Sequence, residues 1–94
     1  MAVTHIAGKN MGAVMLYALS TCGWCKKTKA LLNALEVPYE YIDVDKLSGE
    51  DLAAIREEVA RFNPQISFPT LVIDDGRQVI IGFKEEEITR CFRG

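Results

Sequence analysis

An apolar run that changes directly into a helical pattern is the feature that most restricts the fold of this chain. Residues 13–19, AVMLYAL, form one strand-length segment without a charged residue. An unbroken run of this kind, rather than an alternating one, is typical of a central strand that is buried on both faces. From Gly23 onward the apolar residues fall at helical spacing, and Pro38 ends this pattern. The sequence therefore predicts a buried strand that is followed at once by a helix.

The middle of the chain predicts a second strand and a second helix. The segment YEYIDVD, residues 39–45, alternates in polarity and carries Tyr, Ile and Val, which favours a strand. Ser48 is a candidate N-cap for the next helix, with Asp51 three residues later as an approximate capping box. Asn63 and Pro64 are expected to end this helix.

The last third of the chain predicts a hairpin and a short helix. Residues 70–73 and 78–83 are rich in β-branched side chains and flank Asp74–Arg77, where Asp-Gly indicates a hairpin turn. Residues 85–87 are three glutamates that suit the first turn of a helix. The complete order is β-α-β-α-β-β-α. It predicts an α/β fold, a four-stranded mixed sheet flanked by three helices, with the first two strands parallel.

Length and charge indicate a single domain, without nucleic acid or membrane among its partners. We expect the domain to span residues 13–94 of the 94, after an N-terminal extension, residues 1–12, with little structure of its own. The net charge of -2 gives no attraction to nucleic acid or an anionic membrane. Leu19–Cys22 is similar to a lipoprotein processing site, but cleavage there would remove the first strand. We therefore expect a cytoplasmic protein, in a reducing compartment.

Two of the three cysteines, Cys22 and Cys25, lie where the first strand gives way to the first helix. A thiol at residue 22 would face the unpaired backbone N–H groups and the positive end of the helix dipole, which both favour the thiolate. Cys25 would lie one turn further in and be more covered. We therefore predict that Cys22 is a catalytic nucleophile that attacks a substrate disulfide, and that Cys25 resolves the resulting mixed disulfide. Trp24, between them, is expected to project outward.

Three segments together resemble one known family. YALSTCGWCKKTKALL, SFPTLVI and IGFKEEEI, in this order, are similar to a glutaredoxin-like member of the thioredoxin superfamily, over about residues 14–92. The resemblance implies a thioredoxin fold and a dithiol–disulfide oxidoreductase that reduces protein disulfides. It also implies that Pro69 has a cis peptide bond beside the dithiol. The substrate-docking residues that it implies are Trp24, Phe68, Pro69, Thr70 and Gly82.

Two departures from the glutathione-using members of that family bear on the electron donor. Those members usually carry a lysine shortly before the first cysteine, where this chain has Leu19, and a Gly-Gly pair where Gly82 is followed by Phe83. The segment GFKEEEI is more similar to the glutaredoxin-like redoxins that donate electrons to ribonucleotide reductase and are typically reduced by a protein reductase. We therefore expect a protein disulfide as substrate and a protein reductase, in preference to glutathione, as donor. Glutathione stays the alternative. We also expect a monomer without a bound cofactor.

Other interpretations of the cysteines stay open. The alternative function is iron–sulfur cluster binding or transfer of the glutaredoxin type, with the cluster bridged between two subunits. A structural zinc site would need four ligands, and only Cys91 and His5 could join the pair, neither at motif spacing. A third interpretation is a docking module without redox turnover. Cys91 lies on the apolar side of the last helix, and we expect it to be a small core residue.

Overall fold

The computed structural model describes the backbone of residues 4–6 and 14–93, with side chains for residues 14–92. The strands are β1 Thr4–Ile6, β2 Val14–Ala18, β3 Tyr39–Asp43, β4 Thr70–Ile73 and β5 Gln78–Ile81. The helices are α1 Gly23–Ala34, α2 Gly49–Phe62 and α3 Glu85–Arg93. Short 3₁₀ turns follow β3 at Val44–Lys46 and β4 at Asp74–Gly76.

The described strands form one mixed sheet in the order β1-β3-β2-β4-β5. β2 and β3 are parallel, as expected for strands that a helical crossover joins. β4 pairs antiparallel with both β2 and β5. The predicted α/β fold is therefore confirmed from β2 onward, with four strands in a mixed sheet, three helices and the order β-α-β-α-β-β-α.

Helices cover both faces of the sheet. α1 and α3 pack on one face, where the buried side chains include Leu16, Leu32, Leu71, Ile88 and Phe92. α2 packs on the other face, where they include Tyr17, Ile42, Ile55, Val59 and Val72. Leu16 and Tyr17 are neighbours in β2 and enter opposite cores, because successive side chains of a strand point to opposite faces. The unbroken apolar run of β2 is thus required by burial on both sides.

An additional strand is present where the sequence predicted an extension with little structure. β1 pairs antiparallel with β3, and His5 lies opposite Glu40. Three residues are too few to produce a recognisable alternation of polarity, so the sequence pattern could not reveal this strand. The other residues of the expected extension, 1–3 and 7–12, lie outside the described part of the chain, and the domain boundary at residue 12 stays a prediction.

The beginning of α2 also differs from the expectation. Ser48 is the N-cap residue, but its side chain makes no capping hydrogen bond, so the capping box with Asp51 is wrong. Gly49 follows with a φ of +58°, a left-handed conformation that a helical first turn does not have. This backbone reversal directly after Ser48 explains why its hydroxyl does not reach the helical amides.

The predicted hairpin is present, and its turn requires glycine. Asp74 and Asp75 have φ values of 51° and 57°, and Gly76 has a φ of 105°. A Cβ atom on Gly76 would lie 2.8 Å from the Cε1 atom of Phe62, the last residue of α2. Position 76 therefore needs a residue that tolerates positive φ and has no side chain, because the ring of Phe62 packs against it.

Candidate active site

Cys22 is the N-cap residue of α1, directly after the turn that leaves β2. Its φ and ψ are -85° and 120°, and its Sγ atom accepts a hydrogen bond from the backbone N–H of Cys25 at 3.3 Å. The side chain is half-buried. The sulfur therefore takes the place that a serine or aspartate oxygen occupies at other helix starts, where it faces unpaired amides and remains accessible.

The environment of Cys22 favours its thiolate. Partial burial raises the pKa of this thiol, but the hydrogen bonds from the Cys25 thiol and from the backbone amides of Cys25 and Trp24 outweigh it. The net result is a pKa for Cys22 below the ordinary value. The sequence-based expectation of an acidic thiol at the entrance of α1 agrees with this geometry.

Cys25 is fully buried behind Cys22, in the core between the sheet, α1 and α3. Burial, followed by the hydrogen bond with Cys22, raises the pKa of Cys25 to about 12. The backbone N–H of Leu19 donates to the Cys25 Sγ atom at 3.5 Å and partly opposes this rise. The two thiols are therefore unequal, one accessible and acidic, the other covered and protonated.

Trp24 projects from the surface beside the two cysteines, as predicted, with 57% of its area exposed. Its indole ring stacks on the ring of Phe83, and the Lys27 Nζ atom lies 4.6 Å from the indole centroid. Phe83 in turn packs against the core that contains Cys25. The arrangement presents an aromatic surface with an adjacent cation next to Cys22.

The Phe68–Pro69 peptide bond is cis, as the resemblance implied. Pro69 is buried, and its carbonyl accepts a hydrogen bond from the backbone N–H of Gly82 at 2.8 Å. Gly82 has a φ of 87°, which glycine adopts without strain. Phe68 is half-buried between the two cores. Docking of substrate by these residues stays a prediction.

The side chain of Thr70 points into the protein. Thr70 is fully buried, and its Oγ1 atom donates to the Ser67 carbonyl at 2.7 Å and accepts from the Asn63 side-chain amide at 3.0 Å. These bonds hold the chain next to Pro69. The assignment of Thr70 to substrate docking stays a prediction.

Asn63 organises the whole segment that leads to Pro69, and the sequence prediction missed this role. It is buried, and its amide nitrogen also donates to the Ser67 carbonyl and hydroxyl oxygens at 3.2 and 2.9 Å. Its Oδ1 atom accepts from the backbone N–H of Gln65. The sequence presented Asn63 only as a helix end, although asparagine side chains commonly accept from the backbone two residues later, as Asn63 does from Gln65.

The turn that precedes Cys22 is tied to the 3₁₀ turn that follows β3. The backbone N–H and the hydroxyl of Ser20 donate to the two carboxylate oxygens of Asp45, at 2.8 and 2.6 Å. The side-chain hydrogen bond from Ser20, with the backbone bond from the same residue, lowers the pKa of Asp45. Neither residue was singled out from the sequence, which placed Asp45 inside the second strand.

Cys91 is half-buried and packs against the core beneath α1 and α3, so its surroundings are those of the small core residue that was expected.

Among residues 4–6 and 14–93, no group of three or more His, Cys, Asp or Glu side chains could hold a metal ion. No helix in that part of the chain is long and apolar enough to cross a membrane.

Comparisons with known proteins agree with this geometry. The family model described as Glutaredoxin matches residues 14–79. Glutaredoxin 1 of Rickettsia bellii (strain RML369-C) is 38% identical over 64 residues, which are 67% of this chain and 63% of that protein. The chain thus matches less than two thirds of the length of that relative.

Solved structures are similar over most of their length. The glutaredoxin from Methanosarcina mazei Go1 has a TM-score of 0.87 and 49% identity, covering 96% of this chain and 86% of that one. The methanoredoxin from Methanosarcina acetivorans has a TM-score of 0.86 and 46% identity, covering 90% of this chain and 88% of that one.

Proposed function

The chain belongs to the glutaredoxin family of thiol–disulfide oxidoreductases, and we propose that it reduces protein disulfides through Cys22 and Cys25. The observation that carries this proposal is the asymmetry of the two sulfurs. Cys22 is accessible at the entrance of α1 with a lowered pKa, whereas Cys25 is buried with a raised pKa. The thiolate form, which is the nucleophile in disulfide exchange, is thus concentrated on the exposed residue.

The reaction has two exchange steps. The Cys22 thiolate attacks one sulfur of the substrate disulfide, and the other substrate sulfur leaves as a thiolate. Cys25 then loses its proton and attacks the Cys22 sulfur of the mixed disulfide. The bond between Cys22 and substrate breaks, the second substrate sulfur leaves and is protonated, and a Cys22–Cys25 disulfide forms. The substrate gains two electrons, which an external thiol reductant must restore to the protein.

The surroundings of Cys22 suit a polypeptide substrate. Trp24 and Phe83 provide a stacked aromatic surface, and Lys27 supplies a cation beside it. Aromatic surfaces of this kind contribute large contact areas to protein interfaces. We also assign Phe68, Pro69 and Gly82 to substrate docking, because they lie together at the cis peptide bond. Thr70, next to Pro69, stays in this predicted set.

We further propose that a protein reductase, rather than glutathione, is the electron donor. A charged tripeptide needs a cation and a close backbone approach. Leu19 carries no charge, and it is partly buried against the core beneath α2. Phe83 fills the place after Gly82 and stacks on Trp24. These features support a role similar to that of the redoxins that donate electrons to ribonucleotide reductase.

The test offers the oxidised protein two reducing systems, glutathione with its reductase and a thioredoxin-type reductase, and follows the return of free thiols. We expect faster recovery with the protein reductase. In a parallel assay with a protein disulfide, Cys22→Ser should abolish turnover, and Cys25→Ser should accumulate a mixed disulfide that is visible by mass spectrometry. Turnover of that protein disulfide by Cys25→Ser at the parent rate would refute the two-step assignment.

A further inference from the structure

Backbone groups of the turn between β2 and α1 form hydrogen bonds with both cysteines. The backbone N–H of Cys22 donates to the Leu19 carbonyl at 3.1 Å, which closes a turn with Ser20 at its first corner. At the start of the same turn, the backbone N–H of Leu19 points the other way and donates to the Cys25 sulfur at 3.5 Å. Leu19 thus links the entrance of α1 with the buried thiol.

Asp45 fixes this turn from outside. Its carboxylate accepts hydrogen bonds from both the backbone N–H and the hydroxyl of Ser20. Both bonds are short, as is typical of charge-assisted hydrogen bonds. The backbone bond orients the peptide group between Leu19 and Ser20. Because that peptide group is adjacent to the Leu19 amide, its orientation limits the directions in which the Leu19 N–H can point.

We propose that Asp45 is a positioning residue for the resolving step, because its carboxylate clamps Ser20 and thereby aims the Leu19 amide at the sulfur of Cys25. The inference rests on the proposed function, in which Cys25 attacks the mixed disulfide. During that attack Cys25 must become a thiolate inside the core. The Leu19 amide is a donor that can stabilise this buried charge, and it does so only while it remains aligned.

This role can be separated from a simple effect of charge, because the two make opposite predictions. A negative charge near a thiol disfavours the thiolate, so loss of Asp45 through a Coulomb effect alone would lower the pKa of Cys25 and speed resolution. Loss of an aligned amide would raise the pKa of Cys25 and slow resolution. The sign of the change therefore distinguishes positioning from electrostatic repulsion.

The experiment measures single-turnover reduction of a fluorescent peptide disulfide by the Asp45→Asn, Asp45→Ala and Ser20→Ala variants. The first kinetic phase reports attack by Cys22, and the second reports release of the peptide by Cys25. We expect the second phase to slow about twofold in Asp45→Ala. A rise of roughly half a pKa unit reduces the thiolate fraction about threefold, and the greater nucleophilicity of the more basic thiolate returns part of this loss.

The slowing of the second phase should increase with the number of hydrogen bonds that each variant removes. Ser20→Ala leaves the charge and the backbone bond in place, so a positioning role predicts a smaller slowing and a Coulomb role predicts none. Asp74→Asn is the matched control, an exposed carboxylate that pairs with Arg77 in the β4–β5 turn. Circular dichroism verifies that each variant is folded.

Three outcomes would overturn the inference: a second phase that is unchanged, one that becomes faster, or equal slowing of both phases. The last would mean that the turn supports the site as a whole rather than Cys25. The Cys25→Ser variant distinguishes this failure from failure of the proposed function. If Cys25→Ser blocks peptide release while the Asp45 variants do not alter it, only the role of Asp45 is refuted.

Discussion

The ring of Trp24, at the beginning of α1, stacks on the ring of Phe83, in the segment before α3, with centroids 5.8 Å apart and planes 25° apart. This contact joins the beginning of α1, close in sequence to Cys22, to the segment that leads into α3. The resemblance places Phe83 where the glutathione-using members of the family usually carry a second glycine. We propose that the stack hinders the close backbone approach that a small thiol needs.

Phe83→Gly should therefore increase the use of glutathione. We expect kcat/KM for glutathione-dependent turnover to rise roughly fivefold, the equivalent of about 1 kcal/mol. The free energy of unfolding should fall by about 1–2 kcal/mol, because the ring is only half-buried. Phe83→Leu is the control, since it fills the space without stacking and should not gain glutathione activity. Similar gains in both variants would show that the stack does not exclude glutathione.

The acidity of Cys22 should depend on a donor at position 25. Burial raises the pKa of Cys22, and the hydrogen bond from the Cys25 thiol is the first of the contacts that lower it. Cys25→Ala removes that donor, so the pKa of Cys22 should rise, and its alkylation by iodoacetamide should require a higher pH. Cys25→Ser retains a hydroxyl donor and should shift the curve less. An alanine variant that reacts at lower pH than the parent would contradict this assignment.

Asn63→Ala should affect both stability and substrate reduction. The change leaves the buried hydroxyl of Thr70 and the Ser67 carbonyl each without one of its partners, which should cost about 1–3 kcal/mol in urea unfolding. Because the segment that carries Pro69 loosens, kcat/KM for a protein disulfide should fall more than the alkylation rate of Cys22. Gln65→Ala, which alters an exposed side chain of the same segment, is the control. If Asn63→Ala and Gln65→Ala lowered stability and kcat/KM equally, the positioning role of Asn63 would be refuted.

Two buried groups should lower the stability of the reduced protein at alkaline pH, and their effects should begin at different pH values. Cys25 has its pKa raised from 9.0 to about 12 in the folded state, so the stability linked to it is present below pH 9.0 and declines above it. Burial, aided by Glu58, likewise raises the pKa of Tyr17 above 10.0, so its contribution declines only above that pH. In urea unfolding under reductant, Cys25→Ser should lose less stability than the parent from pH 9 upward. Tyr17→Phe should lose less stability than the parent only above pH 10. A Cys25→Ser curve parallel to the parent would contradict this linkage.

Most of the fold and the two cysteines of the site could be predicted from the sequence, because both depend on local patterns of residues. The apolar run of β2 required burial on two faces, and the change of period at Gly23 placed Cys22 at a helix start. The cis bond at Pro69 came from the resemblance of three segments rather than from any single residue. These features depend on neighbours in the sequence or on motifs in a fixed order.

The supporting contacts could not be predicted, because they join residues that are distant in sequence or share no pattern. Ser20 and Asp45 are 25 positions apart and meet only when β2 and β3 lie side by side. The hydroxyl of Thr70 lies inside the Asn63 network, which no pattern in the sequence indicates. Burial of a single polar side chain is a property of the assembled tertiary structure, which the alternation of residue types does not encode.

The pairing of β1 with β3 has a consequence for how copies of this chain behave at high concentration. An uncovered strand is a template on which other chains can add, and β3 would be such a template if the described sheet ended there. With β1 in place, the edge of the described sheet beyond β3 is a strand of only three residues, and β5 is the edge opposite. A very short edge strand offers few backbone groups to another chain, so a segment too short to reveal itself in the sequence keeps β3 from serving as such a template.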